Sequence, residues 1–325
     1  MGSAVEKSVP KVLACFFVYN EADKILHGIE QMRKQTYPSV EIAVFDNCST
    51  DGTVELIEGL TDSNVTLFKN TENQGAFKNM MRVRAYALER KECEYFLLAD
   101  MDDWYHEDYL SELVELLEKN PKAVGAIPKL IMRHETVGGN VFKEQECSLD
   151  FLENKNSNFN KAFLSLNDVS LQTCMLIRSL LRRDHIDSIL CEKPLFYGID
   201  EFYAVLGIYL GGIVTTPKML HIKYQSQLPL SERKLDSLEE AYDFSNFSKK
   251  WRTFSFDVKY AFSIKKLSLF AKVQIASLLF YRLFMKYKLV NTAEKIKGSN
   301  NLVARGIVAA YQPIKKLRTR GGINE

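Results

Sequence analysis

The stretch "KVLACFFVYNEADKILHGIEQMRKQTYPSVEIAVFDN", residues 11–47, decides the fold class. Its opening, 11–18, is an almost unbroken apolar run, the pattern of a strand covered on both faces. A helix should follow, because Ile25, Leu26, Ile29 and Met32 recur at helical spacing, with Asn20 placed to cap and Glu21 and Asp23 in the first turn. "YPS" then breaks that helix and "VEIAVF" (40–45) reads as a second strand. The unit is strand, helix, strand, which predicts a parallel pair joined by a crossover.

The pattern repeats outward from there. Helix "DGTVELIEGL" (51–60), strand "NVTLFK" (64–69), a helix over 76–90 and strand "YFLLA" (95–99) follow in order. This predicts an α/β protein whose mostly parallel sheet is flanked by helices. In such sheets ligands bind beyond the C-terminal strand ends, and there the chain places its distinctive polar residues. The first strand ends in "VYNEA", the second in "DNCSTDGT" and the fourth in "DMDDWY". Tyr19 offers a ring for stacking, and Asp46 and Asn47 offer hydrogen bonds to a base or ribose. "STDGT" would equally serve as a helix cap, with Ser49 or Thr50 at the cap and Gly52 easing the turn.

Asp100 and Asp102 are two residues apart, so on an extended chain both project to one side and Met101 to the other. Carboxylates held that close repel each other unless a cation neutralises them. Oxygen ligands of this kind suit Mg²⁺ or Mn²⁺. The competing reading is a solvated acidic loop, with Asp103 capping the helix in "HEDYLSELVELLEK". An EF-hand is disfavoured, since its sixth-position glycine and later ligands are missing.

In that order, "VYNEA", "QTYPSVEIAVFDNCSTDGT", "NQGAFKN" and "LADMDDWYHEDYL" resemble the nucleotide-diphospho-sugar half of GT-A fold, family 2 glycosyltransferases. The resemblance is close over residues 11–130 and looser over 165–225. It implies a Rossmann-like fold and transfer of a sugar from a nucleotide donor to an acceptor hydroxyl with inversion. It makes Asp102 a metal ligand in a DxD motif, supported by Asp100 and Asp103. Tyr19, Asn20, Glu21, Asp46 and Asn47 join those two at the donor nucleotide. Many relatives carry an aspartate where this chain has Asn47; an amide accepts the N3 hydrogen of uracil without charge, hence more weakly. UDP-sugar is favoured; dTDP-sugar stays open because thymine presents the same hydrogen, and a guanosine donor stays open too.

In "PLFYGIDEFYAVLGIYLGG", Asp200 and Glu201 open an apolar helical stretch that closes on Gly211 and Gly212. The resemblance places the family's catalytic base at Glu201, with Asp200 the alternative; a carboxylate is needed to take the acceptor's proton. Both acids would also favour the positive end of a helix without any catalytic role. His221, in "TTPKMLHIKY", is implied as a second metal ligand or a contact to the diphosphate, a lone histidine being equally at home in a structural role, and Gln172, Thr173 and Trp104 as lining for the sugar or acceptor.

Domain expectations follow: a GT-A domain over 10–228, with a nucleotide half at 10–104 and an acceptor half at 105–228, then a basic helical tail over 229–325. The net charge of +2 conceals a split. Lys249 to Arg320 holds seventeen Lys and Arg against Asp257 and Glu294, and residues 1–248 sum to −12. "IKKLSLFAKVQIASLLFYRLFMKYK" (264–288) reads as one amphipathic helix, with Lys265, Ser268, Lys272, Arg282 and Lys286 gathered on one side. That suits a peripheral membrane surface and a glycan or lipid-linked acceptor, and equally a helical cap on the enzyme or an oligomer contact. No nucleic-acid motif accompanies the charge.

The six cysteines are widely spaced, and "MGSAVEKSVPK" lacks the apolar core of a secretory leader. The expected location is therefore cytoplasmic, at the inner face of the membrane. A sugar nucleotidyltransferase would need a Gly-rich basic loop after the first strand, which "FFVYNEADK" lacks. A non-catalytic nucleotide-sugar or membrane-binding module is opposed by the intact acidic groups.

Overall fold

A computed structural model describes residues 8–60, 64–135, 141–147, 149, 152, 157–167, 178–190, 199–226 and 247–286. Four strands form the first part of the sheet: β1 (Lys11–Val18), β2 (Val40–Asp46), β3 (Val65–Lys69) and β4 (Cys93–Leu98). They lie in the order β3-β2-β1-β4 and every neighbour pair is parallel. Helices α1 (Ile25–Arg33), α2 (Thr53–Glu58) and α3 (Ala76–Glu89) make the crossovers. The order reverses between β1 and β4, so the loops after these strands open around a switch point where ligands collect.

Beyond β4 the sheet changes character. It continues through β8 (Leu180–Arg182), β6 (Gly125–Glu135), β9 (Ile213–Ser226) and β5 (Trp104–Tyr105), while β7 (Val141–Cys147) pairs with β6. β8 runs antiparallel to both β4 and β6, whereas β6 and β9 are parallel. The sheet is thus mixed, and the parallel expectation holds for its first four strands. The short β8 inserts between two halves, and a three-residue strand carries too little alternation to announce itself in sequence. Helix α4 (Tyr109–Lys119) packs its Leu110, Leu113, Val114 and Leu117 inward. α5 (Asn158–Asn167), α6 (Ile186–Ile189) and α7 (Ile199–Leu210) complete this region.

One core runs under the first four strands, where Val12, Ala14, Phe16, Ile25, Ile29, Met32, Val44 and Leu97 are all buried. Each large aliphatic side chain enclosed there contributes about 1.5–3 kcal/mol. Asn20 does not cap α1. The chain turns through residues 22–24 first, and Asn20 adopts a left-handed φ of 55°. α2 begins after Gly52, whose φ of 94° no other residue adopts cheaply, and has no side-chain cap. Ser49 and Thr50 are engaged elsewhere, as described below.

The chain divides into two compact units: Met1–Asp243 with Ile264–Leu267, and Phe244–Ser263 with Ser268–Glu325. The second contains α8 (Phe247–Ser263) and α9 (Leu269–Lys286), with Phe254 edge-on to Phe280 at 5.8 Å. The single helix expected over 264–288 is shortened at its start. Residues 264–268 form a turn, and Ser268 caps α9, its Oγ accepting from the Ala271 N–H at 3.1 Å. Lys265 therefore lies off the helix.

Gly28 fixes how α1 meets the loop after β4. A Cβ there would lie 2.7 Å from Met101 Cα and 3.1 Å from a Phe16 ring atom. Gly28→Ala should gain up to about 1 kcal/mol of helix propensity and lose about 1–3 kcal/mol by overpacking against backbone. The expected outcome is a lower thermal midpoint, read by calorimetry; a raised midpoint would show that α1 moves freely.

Candidate functional site

The loops after β1 and β2 are fastened to each other. Asn20 N–H donates to Ser49 Oγ at 2.9 Å, and Thr50 N–H donates to Asn20 Oδ1 at 2.9 Å. Glu21 N–H donates to Thr53 Oγ1 at 2.9 Å and Ala22 N–H to Asp51 Oδ2 at 3.0 Å. These bonds satisfy backbone groups that no strand or helix reaches; within the two loops Asn20 and Cys48 have positive φ values of 55° and 66°. Ser49, Thr50, Asp51 and Thr53 thus clip the loops together; neither Ser49 nor Thr50 caps α2, whose first N–H, that of Thr53, donates to Asp51 Oδ1 at 3.1 Å.

Above the clips the expected nucleotide contacts separate. Tyr19 is 40% exposed, so its ring is open for stacking. Asp46 is buried; its Oδ2 accepts from Ser49 N–H at 3.0 Å, and its Oδ1 has no hydrogen-bond partner among the described residues. Asn47 is committed to the protein. Its Oδ1 accepts from Asn70 Nδ2 at 2.8 Å and Gln74 N–H at 3.0 Å, and its Nδ2 donates to Asn73 Oδ1 at 2.7 Å. Asn47 thus holds the loop before α3 in place, and its carbonyl is already occupied.

The acidic turn lies after β4, where Asp100, Asp102 and Asp103 bring ligand oxygens within 4.8 Å of one another. The chain is turned at Met101 and Asp102, not extended as the two-residue spacing suggested, and Tyr105 OH accepts the Asp100 N–H across the turn at 3.0 Å. Asp103 does not cap α4. It is fully enclosed, with Oδ2 accepting from His221 Nε2 at 2.8 Å and Oδ1 facing Lys223 Nζ at 3.2 Å. Asp100 meets Arg178 Nη1 through Oδ1 and Lys223 Nζ through Oδ2, both at 2.7 Å. Asp102 has no hydrogen bond or ion pair among the described residues.

Titration tendencies follow these partners. Burial alone would raise the Asp103 pKa, but His221, Lys223 and Arg178 together outweigh it and hold it below the usual carboxylate range. Burial opposes the Lys223 ammonium, and Asp100 and Asp103 outweigh it, so Lys223 is held more firmly charged. Asp102 is raised, first by burial and then by Asp100, with only partial relief from Lys223. A half-buried carboxylate pushed upward beside two neutralised ones is a group that a cation would relieve. The donor set therefore fits a hard divalent ion, with Asp102 as its free ligand.

His221 arrives through β9, paired across from Tyr105 of β5. Its ring is fully buried, stacked on Tyr105 at 4.7 Å and edge-on to Tyr109 at 5.9 Å. With Nε2 on Asp103 and Nδ1 enclosed without a partner among the described residues, His221 acts on the cluster through Asp103 and offers no open nitrogen to a metal. Trp104, half-buried on β5, packs edge-on to His106 at 5.9 Å. Asp200 and Glu201 lie in the first turn of α7, but their side chains, like Gln172 and Thr173 altogether, lie outside the described residues. Two residues that sequence reasoning missed are Lys223 and Arg178. The alternation in "HIKY" puts Lys223 on the same side of β9 as His221, which was a usable signal; Arg178 had none.

Comparisons with known proteins bear on the family and the fold. The model for "Glycosyl transferase family 2" matches residues 14–182. The chain is 31% identical over 100 residues, 31% of its length and 38% of the relative's, to the UDP-Glc:alpha-D-GlcNAc-diphosphoundecaprenol beta-1,3-glucosyltransferase WfaP of Escherichia coli. An uncharacterized glycosyltransferase of Haemophilus influenzae is 26% identical over 231 residues, 67% of this chain and 66% of that protein. The matched part is thus less than two thirds of either relative's length. Among solved structures, S. aureus TarS 1-349 in complex with UDP-GlcNAc shares the fold at a TM-score of 0.57 and 17% identity, over 92% of this chain and 79% of that one.

Asn47→Ala removes three hydrogen bonds that tie the buried Asn47 amide to half-buried Asn70 and to exposed Asn73 and Gln74 in the loop over residues 70–75. It should lower stability by about 1–3 kcal/mol. Denaturant unfolding checks this; an unchanged midpoint would mean that the loop stands without Asn47.

Proposed function

The chain belongs to glycosyl transferase family 2, and from that membership we propose that it transfers a sugar from a nucleotide-diphosphate donor to an acceptor hydroxyl with inversion at the anomeric carbon. The observation that carries this reading is Asp102, without a hydrogen-bond or ion-pair partner among the described residues beside two neutralised aspartates. It stands in the turn after β4, close to Glu21 and Lys24 of the segment after β1. Mn²⁺ or Mg²⁺ held there would offset the negative charge of the departing diphosphate. Tyr19 stacks on the base, and Asp46 Oδ1, enclosed and without a hydrogen-bond partner among the described residues, is the acceptor assigned to its N3 hydrogen. UDP-sugar is the favoured donor and dTDP-sugar the alternative, in keeping with the UDP-sugars in the names of WfaP and the TarS complex.

In the transfer, the acceptor oxygen bonds to the anomeric carbon as that carbon's bond to the diphosphate oxygen breaks. The acceptor's proton passes to a carboxylate, Glu201 with Asp200 as the alternative, both in the first turn of α7. Glu201 and Asp200 are assigned from sequence, as is the lining of the pocket by Gln172 and Thr173, with Trp104.

We place the protein at the cytoplasmic face of a membrane, bound peripherally and building a surface polysaccharide or glycolipid on a lipid-linked acceptor. The acceptor named for WfaP, a sugar on diphosphoundecaprenol, supports this. So does the start of α9, where Leu269, Phe270 and Val273 are 71%, 73% and 50% exposed on the side opposite buried Ile275, Leu278 and Leu279. A helix apolar on two sides has a second surface to cover, and Lys272 flanks this one. Among the described residues, no helix is long and apolar enough to cross a membrane.

A panel of nucleotide sugars with Mn²⁺, read as slow nucleoside-diphosphate release, should select a UDP- or dTDP-sugar. Asp102→Asn should abolish metal-dependent turnover in a folded protein, and of Glu201→Gln and Asp200→Asn one should lose about 10²-fold or more. Turnover of no donor with any divalent ion defeats the reading.

Vesicle flotation tests the location. Phe270→Glu should abolish co-flotation with vesicles containing anionic phosphatidylglycerol, and equal flotation of variant and wild type would remove the membrane assignment.

A further inference from the structure

On the glycosyltransferase reading above, the acidic turn has two tasks that conflict. It must attract a divalent cation, and it must then receive a diphosphate that is itself negative. Three unpaired carboxylates would do the first and oppose the second. In the structure, Lys223 Nζ bridges Asp100 Oδ2 at 2.7 Å and Asp103 Oδ1 at 3.2 Å, and Arg178 Nη1 holds Asp100 Oδ1 at 2.7 Å. With His221 on Asp103 Oδ2, every oxygen of Asp100 and Asp103 already faces a donor.

Formal charge makes the consequence plain. With His221 counted neutral, three aspartates, Lys223 and Arg178 sum to −1, and a divalent cation takes the turn to +1. Without Lys223 and Arg178 the loaded turn would remain at −1 and repel the diphosphate. Glu21 and Lys24 nearby cancel each other, paired at 3.2 Å.

We infer that Lys223, with Arg178 beside it, is a resident counter-cation that reserves Asp102 for the divalent ion and leaves the loaded site positive toward the donor's diphosphate. Cation and nucleotide then bind best together. Lys223 acts through the aspartates and is a positioning residue. An ordinary structural ion pair at this place would behave differently on removal, since it would weaken cation and nucleotide alike.

The test uses the full chain in two titrations: Mn²⁺ alone, followed by electron paramagnetic resonance of the free ion, then UDP and, in parallel, GDP in saturating Mn²⁺ by calorimetry. Lys223→Met should bind Mn²⁺ alone several-fold tighter than wild type and nucleoside diphosphate about tenfold weaker, because one positive charge has left the cluster. Lys223→Arg should keep both near wild type. A folded Lys223→Met that loses both affinities together, or keeps its nucleotide affinity, overturns the inference. Should that variant not fold, Arg178→Met carries the same opposite-signed expectation through Asp100, and parallel losses there overturn it. Parallel losses with a wild type that binds both ligands remove only the role of Lys223; a wild type that binds neither defeats the glycosyltransferase reading beneath it.

Discussion

Three carboxylates within 4.8 Å of one another repel, and the second part of the sheet is arranged around relieving that repulsion. β9 delivers both His221 and Lys223 beneath the turn because its pairing with β5 sets His221 opposite Tyr105. The segment leading into β8 delivers Arg178. Asp103 is wholly enclosed, and a buried carboxylate is tolerable only when hydrogen-bonded and paired, as this one is. The strands beyond β4 therefore supply the charge that lets the end of β4 exist in its present form.

The same arrangement explains which parts of the protein could be read from the sequence. Runs such as 11–18 and 40–46 announce themselves because a strand covered on both faces must be continuously apolar. α1, α3 and α4 are legible through helical spacing, and the three polar clusters at strand ends through their position alone. What local pattern could not supply is partnership. Asn47 looks like a ligand contact, and its amide is spent on Asn70, Asn73 and Gln74, up to 27 positions away in the chain. His221 has the composition of a metal ligand, and its partner is Asp103, 118 positions away. Sequence patterns report which face a residue occupies, whereas the identity of its neighbour is set by strand pairings such as β5 with β9.

The tail shows the same division. Its helical character followed from the absence of proline and glycine, but the break at 264–268 is made by local bonds, Leu267 N–H donating to the Ile264 carbonyl at 3.3 Å and Ser268 Oγ accepting from Ala271 N–H. That break separates α8 from α9 and leaves Leu269 and Phe270 at the start of a helix with their side chains exposed.

The clips between the loops after β1 and β2 have a kinetic consequence. Because Asn20, Ser49, Asp51 and Thr53 are ordered by folding itself, the entropy of fixing these two loops is lost before any nucleotide arrives. At this edge of the pocket, encounter with a donor becomes the docking of one rigid body into another. Its rate is then governed by diffusion and by the ionic strength of the medium rather than by a loop that must first find its shape.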